Sequence, residues 1–61
     1  MTIIKVDNKL VNVDDIEYAE EVFRNEEYIT NICMHSGACI RLDNTRLRYV
    51  LEQINNAQGG D

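Results

Sequence analysis

Cys33, His35 and Cys39 are the only cysteine and histidine side chains in the chain, and they fall within seven positions of one another. A structural zinc ion takes four ligands, commonly from paired C-x-x-C knuckles. Three ligands without such knuckles would need a fourth from a second copy, so neither a metal centre nor a cofactor is expected. A disulfide is the other chemistry open to the cysteines. Directly opposed strand residues have Cβ atoms about 4.5–5.5 Å apart, slightly wider than an ideal bridge. The first residues do not read as a secretion signal, so a cytoplasmic, reducing setting with free thiols is expected. A catalytic Cys–His pair would lack an orienting carboxylate and an oxyanion-hole motif. So small a domain also leaves little room for a substrate cleft, and no enzymatic activity is expected.

Charge is the second source of chemistry. Eleven acids against six bases give a net charge of −5, which argues against direct nucleic-acid binding. Residues 14–27 hold Asp14, Asp15, Glu17, Glu20, Glu21, Glu26 and Glu27 against Arg24 alone. Spaced carboxylates on a rigid hairpin would steer a basic protein partner, with Glu20, Glu21, Glu26 and Glu27 as the candidate contacts. The plainer reading is a solvated face that keeps a small protein dispersed. No loop with acids at alternate positions ending in Glu is present, so calcium is not expected. Arg41, Arg46 and Arg48 are the candidate anion-binding residues. Arg46 and Arg48 fall in the first turns of a predicted helix, where the macrodipole disfavours cations. Placement against local preference points to pairing with acids or to an anionic ligand, with ordinary surface charge as the simpler account.

The elements that position these residues follow from pattern. Sixty-one residues make one domain, which buries only about 60% of its unfolded surface. Apolar residues make up 44%, too many for a disordered tail, and no apolar run approaches a membrane span. Thr2–Val6 and Leu10–Val13 read as a short hairpin around the polar turn Asp7-Asn8-Lys9, with Asn suited to positive φ. Residues 14–24 fit two readings. Asp14 with Glu17 resembles a capping box, and Ile16, Ala19 and Phe23 lie at helical spacing. Ile16, Tyr18 and Val22 alternate as a strand does, and the strand is the reading preferred.

Arg24–Glu27 then turns the chain into a strand over Tyr28–Met34. A three-residue loop, His35-Ser36-Gly37, sets Cys33 opposite Cys39, Ile32 opposite Ile40 and Thr30 opposite Leu42. It gathers Ile32, Met34, Ala38, Ile40 and Leu42 on one face, and Gly37 suits the left-handed third loop position. Leu47, Val50, Leu51 and Ile54 form the stripe of a final helix, capped by Asp43 or Asn44 and stopped near Gly59-Gly60.

The expected fold is therefore α+β: an antiparallel β-meander of about four or five short strands followed by one C-terminal amphipathic helix. Residues 1–57 form the domain, and 58–61 a flexible tail. The helix should cover the face of Ile32, Met34, Ile40 and Leu42. The other face would offer Ile3, Ala19, Phe23, Ile29, Cys33 and Cys39, the candidate oligomer surface of a homodimer or larger ring.

Ile4-Lys5-Val6, Asn8, Val11-Asn12, Asp14, Ile16-Glu17, Ile29-Thr30, Ile32, Ser36-Gly37, Ile40, Val50 and Ile54 resemble the FlbD-like small flagellar-locus proteins. The Asn12-x-Asp14-x-Ile16-Glu17 stretch is the most distinctive part. The family's usual Asn-Gly turn is Asn8-Lys9 here, and the segment between Ile16 and Gly37 is longer. The resemblance implies a sheet with one helix and no catalytic site. Ile16-Glu17-Tyr18, Tyr28-Ile29, Gly37, Arg41 and Leu47 are similar to part of the LytTR DNA-binding domain, but the acids lie where phosphate contacts would be penalised.

The expected function is a small acidic non-enzymatic binding or regulatory module, a bacterial or phage accessory protein acting through protein contacts as a homo-oligomer. One alternative is a phage-type inhibitor that presents a DNA-mimicking acidic surface to a nucleic-acid-binding defence enzyme. The other is an oligomer that holds a small anionic ligand. No membrane partner is expected.

Overall fold

The structure, a computed structural model, describes residues 2–59. Five strands form two antiparallel sheets, and one helix follows them: an α+β fold. Strands β1 (Ile3–Val6) and β2 (Lys9–Asn12) pair as a hairpin with Ile4 opposite Val11 and Val6 opposite Lys9. Its turn is Asp7-Asn8, and Asp7 rather than the expected Asn8 takes the positive φ, at 54°. Asn12 then caps a 3-10 turn over Val13–Asp15, its Oδ1 accepting from the Asp14 amide at 3.1 Å. The turn ends at Asp15, so Asp14 and Glu17 build no capping box.

Strand β3 (Ile16–Arg24) pairs with β4 (Glu27–Met34), which pairs with β5 (Cys39–Asp43). The preferred strand reading of 14–24 therefore holds from Ile16 onward, and the helical spacing has a physical source. The register shifts between Ile16 and Tyr18, a bulge with Glu17 as the extra residue. Ile16 faces the core, and after the bulge Ala19, Glu21 and Phe23 take that same side. Three of these, Ile16, Ala19 and Phe23, thus imitate a helix while lying on a bulged strand.

The two remaining turns are well defined. Asn25 and Glu26 both have positive φ, 52° and 63°, between the paired residues Arg24 and Glu27. That is a two-residue type I′ turn, which matches the twist of the flanking strands. The β4–β5 loop is the expected three residues. The Met34 amide donates to the Ala38 carbonyl at 2.8 Å, the Gly37 amide donates to the Met34 carbonyl at 3.0 Å, and Gly37 has φ 100°. The register Cys33–Cys39, Ile32–Ile40, Thr30–Leu42 is the one the hydrophobic pattern selects.

One expectation is overturned in this hairpin: Cys33 and Cys39 are joined as a disulfide, not free. The reason lies in the ladder. The Met34 amide donates to the Ala38 carbonyl and the Met34 carbonyl accepts from the Gly37 amide, which closes the loop with a hydrogen-bonded step, so the next pair out is a non-hydrogen-bonded one. Such pairs approach more closely than the average opposed pair, and the Cα atoms of Cys33 and Cys39 are 4.1 Å apart.

The core joins three pieces. Ile4, Val6 and Val11 come from the first hairpin, Ile32 and Leu42 from the three-stranded sheet, and Val50 from α1 (Leu47–Gly59). The helix does not cover the Ile32–Leu42 face alone, as expected; the first hairpin shares it. Val50 is the only residue of α1 that is buried, and Leu51 of the expected stripe is 56% exposed. A helix that buries so narrow a line needs the alternating face of β1 and β2 beside it. Gln58 and Gly59 belong to the helix, and Gly60 with the rest of the expected tail lies outside the described residues. Among the described residues no helix is long and apolar enough to cross a membrane.

Glu26 adopts a left-handed conformation that costs a side-chain-bearing residue free energy. Glu26→Gly should raise the unfolding free energy by about 1 kcal/mol, read as a higher urea midpoint at unchanged slope. Reducing the Cys33–Cys39 bridge closes no new register but frees the unfolded chain. Unfolding in reductant should be easier by about 2 kcal/mol for a loop this short, and an unchanged midpoint would show the thiols unlinked in solution.

Candidate functional site

The segment between β5 and α1 organises the polar side chains of the near face, the side of the three-stranded sheet that bears the helix. Asn44 has φ 54°, which turns the chain out of the strand. Thr45 then fixes the turn with three bonds. Its amide donates to the Tyr28 carbonyl at 3.1 Å, and its hydroxyl donates to the Asp43 carbonyl at 3.0 Å. Its carbonyl accepts from the Thr30 hydroxyl at 2.7 Å. Thr30 is fully buried, so an unmade bond there would leave a desolvated hydroxyl.

This anchoring carries Arg46 and Leu47 over β3. Glu21 Oε1 accepts from the Leu47 amide at 2.7 Å and from Arg46 Nε at 3.2 Å. The Arg46 guanidinium carbon lies 3.7 Å from the centre of the Tyr28 ring, within cation–π range. Phe23 packs against Tyr28 with ring centres 4.8 Å apart. The helix start is thus capped by a strand carboxylate. Asp43, one of the expected caps, instead pairs with Arg41 at 2.7 Å. Glu21 also answers the unfavourable placement of Arg46, since a negative charge at a helix N-terminus is stabilising.

The Leu47 amide bond holds the Glu21 carboxyl below its ordinary value of 4.5, helped by the Arg46 hydrogen bond and charge and opposed by partial burial. Deprotonated Glu21 is therefore the form that serves the fold.

The sequence-predicted groups are dispersed rather than assembled. Glu20 lies on the far face of the sheet, Glu21 is engaged on the near face, and Glu26 sits in the turn. Glu27 is opposite Arg24. Only Glu26 and Glu27 remain neighbours with free carboxylates. Of the arginines, Arg41 stands apart on the far face with Asp43. Arg46, held by Glu21, and Arg48 line one open groove of about 480 Å³, where Asp7 and Glu52 offset their charge.

The candidate oligomer residues do not share a face either. Ala19 packs toward the core and Phe23 lies on the helix side, both because of the bulge at Glu17. Ile3 is on the outer side of the first hairpin. Ile29 and Cys33 are on the far face but buried there, because β4 is central and Val22, Tyr18, Cys39 and Asp43 flank them. Cys39 alone of that trio is exposed.

Among the described residues no group of three or more His, Cys, Asp or Glu side chains is placed to hold a metal ion. The disulfide also removes both thiols as ligands. Tyr28, Thr30 and Thr45, which build the helix anchor, carried no signal in the sequence: the Thr30–Thr45 and Tyr28–Arg46 contacts join residues 15 or more positions apart in chain order.

Glu21→Gln should lower the melting temperature, while Glu20→Gln leaves it nearly unchanged. Because the folded carboxyl titrates below 4.5, the difference between wild type and Glu21→Gln is fully present above about pH 4.5. It should close as pH falls through the lowered folded value. Thermal melts of both proteins across the acid range read this directly.

Comparison with models of protein families, with curated proteins and with solved structures found no match to this chain.

Proposed function

We propose that the protein is a small acidic binding module, not an enzyme, that acts through protein contacts and associates with further copies of itself. The observation that carries this is the division of large apolar side chains. Ile4, Val6, Val11, Ile32, Leu42 and Val50 form the buried core. Ile29 and Cys33 are buried on the far face of the sheet, while Ile3, Leu10, Tyr18, Phe23, Tyr49 and Leu51 are exposed, with Leu10 at 75% and Phe23 at 62%. Single exposed apolar residues are ordinary on any surface. Here Ile3 and Leu10 share the outer side of the first hairpin, and Phe23 lies against the half-buried Tyr28. A domain with so thin a core gains from covering such surface by association. The acids favour basic surfaces on any other partner, with Glu26 and Glu27 at the projecting β3–β4 turn beside Phe23 as the natural points of contact.

Sedimentation or light scattering over a wide concentration range tests the reading. A mass rising to a multiple of 7.1 kDa is expected. A particle that stays at 7.1 kDa throughout would remove the self-association and with it the reason to read the exposed residues as contacts.

A further inference from the structure

The three-stranded sheet has two outer edges, and they differ in kind. The β3 edge is guarded: it carries the Glu17 bulge and three glutamates, Glu17, Glu20 and Glu21, in nine residues. Bulges and charge are the ordinary means by which an edge is kept from pairing. The β5 edge is unguarded. Cys39-Ile40-Arg41-Leu42-Asp43 has no bulge, no Pro and no net charge, and among the described residues no strand pairs with its outer side.

We infer that two copies join along the free edge of β5 in the antiparallel register that sets Arg41 of each opposite Asp43 of the other. Register is settled by two independent constraints. Cys39, Arg41 and Asp43 are the non-hydrogen-bonded positions against β4, so their amides and carbonyls point outward. Only these residues can form the new ladder. A symmetric pair can then centre on Ile40, Arg41 or Leu42. Centring on Arg41 opposes two arginines, and centring on Ile40 sets each arginine against Cys39. Centring on Leu42 alone opposes unlike charges.

Arg41 and Asp43 already pair within one chain, at 2.7 Å with both side chains more than half exposed. A second copy in this register closes a ring of four alternating charges on one side of the joined sheet. The Asp43 carbonyl accepts from the Thr45 hydroxyl and keeps a second lone pair for the ladder. With about four ladder hydrogen bonds the interface belongs to the small, weaker class, so the dimer is concentration-dependent.

The inference rests on the self-association proposed above, and the experiment separates the two. Arg41→Asp and Asp43→Arg, made singly, oppose like charges across the edge. Each should dimerise about tenfold more weakly than wild type. An equimolar mixture of the two single variants should form a heterodimer, and the double variant Arg41→Asp/Asp43→Arg should recover wild-type association. The Arg41 and Asp43 amides of wild type should gain protection from hydrogen exchange as concentration rises. Single variants that associate as wild type does, or a mixture that fails to pair, would overturn the β5 interface and leave self-association standing. A wild type that stays monomeric would overturn both.

Discussion

The whole arrangement turns on where the helix begins. β5 ends on one edge of the sheet, and the helix must return across the near face to bury Val50. Glu21 supplies the fixed point, because one carboxylate oxygen receives both the first helical amide and the Arg46 side chain. Thr30 and Thr45 hold the approach to it. Helix N-termini leave amides without intrahelical partners, and a short helix has little propensity to spare for an open end. With the start fixed, Val50 drops between the first hairpin and the sheet, and the three pieces of core close on one another.

Much of this was legible in the residues and some was not, for definable reasons. The Gly37 hairpin was readable because strand side chains alternate with a strict period of two, and a single slip would have exposed Ile32 and Ile40. The final helix was readable from the spacing of Leu47, Val50 and Ile54. The faces of β3 were not, because one extra residue at Glu17 changes the period midway and lets a strand imitate a helix. The cap was misplaced because capping rules are local, and Glu21 lies 26 positions before the amide it serves. The disulfide was not expected because free thiols were inferred from a reducing setting, and because an average opposed pair stood in for the closer of the two kinds.

Most of the acids named for a partner turn out to have separate surroundings, and of the arginines named for an anion only Arg46 and Arg48 share a groove, beside Asp7 and Glu52. Acid-rich sequence and acid-rich surface are different things. A strand deals its successive side chains to opposite sides, so Glu20 and Glu21 part company at once, and only a turn such as Asn25-Glu26 keeps neighbours together. The far side of the sheet illustrates the same geometry in reverse. A central strand needs no second layer to hide Ile29 and Cys33 when its two neighbours carry side chains long enough to lean over them.

The uneven grip on the helix sets how the molecule breathes. From Asn55 to Gly59 every helical side chain is exposed, while β4 and β5 are stitched by a covalent bond as well as by their ladder. Amide protection should grade accordingly, lowest toward the final helical turn and highest along the stitched strands. The last helical residues are thus the part of the fold most ready to come loose, and an added C-terminal extension would meet almost no packing to disturb.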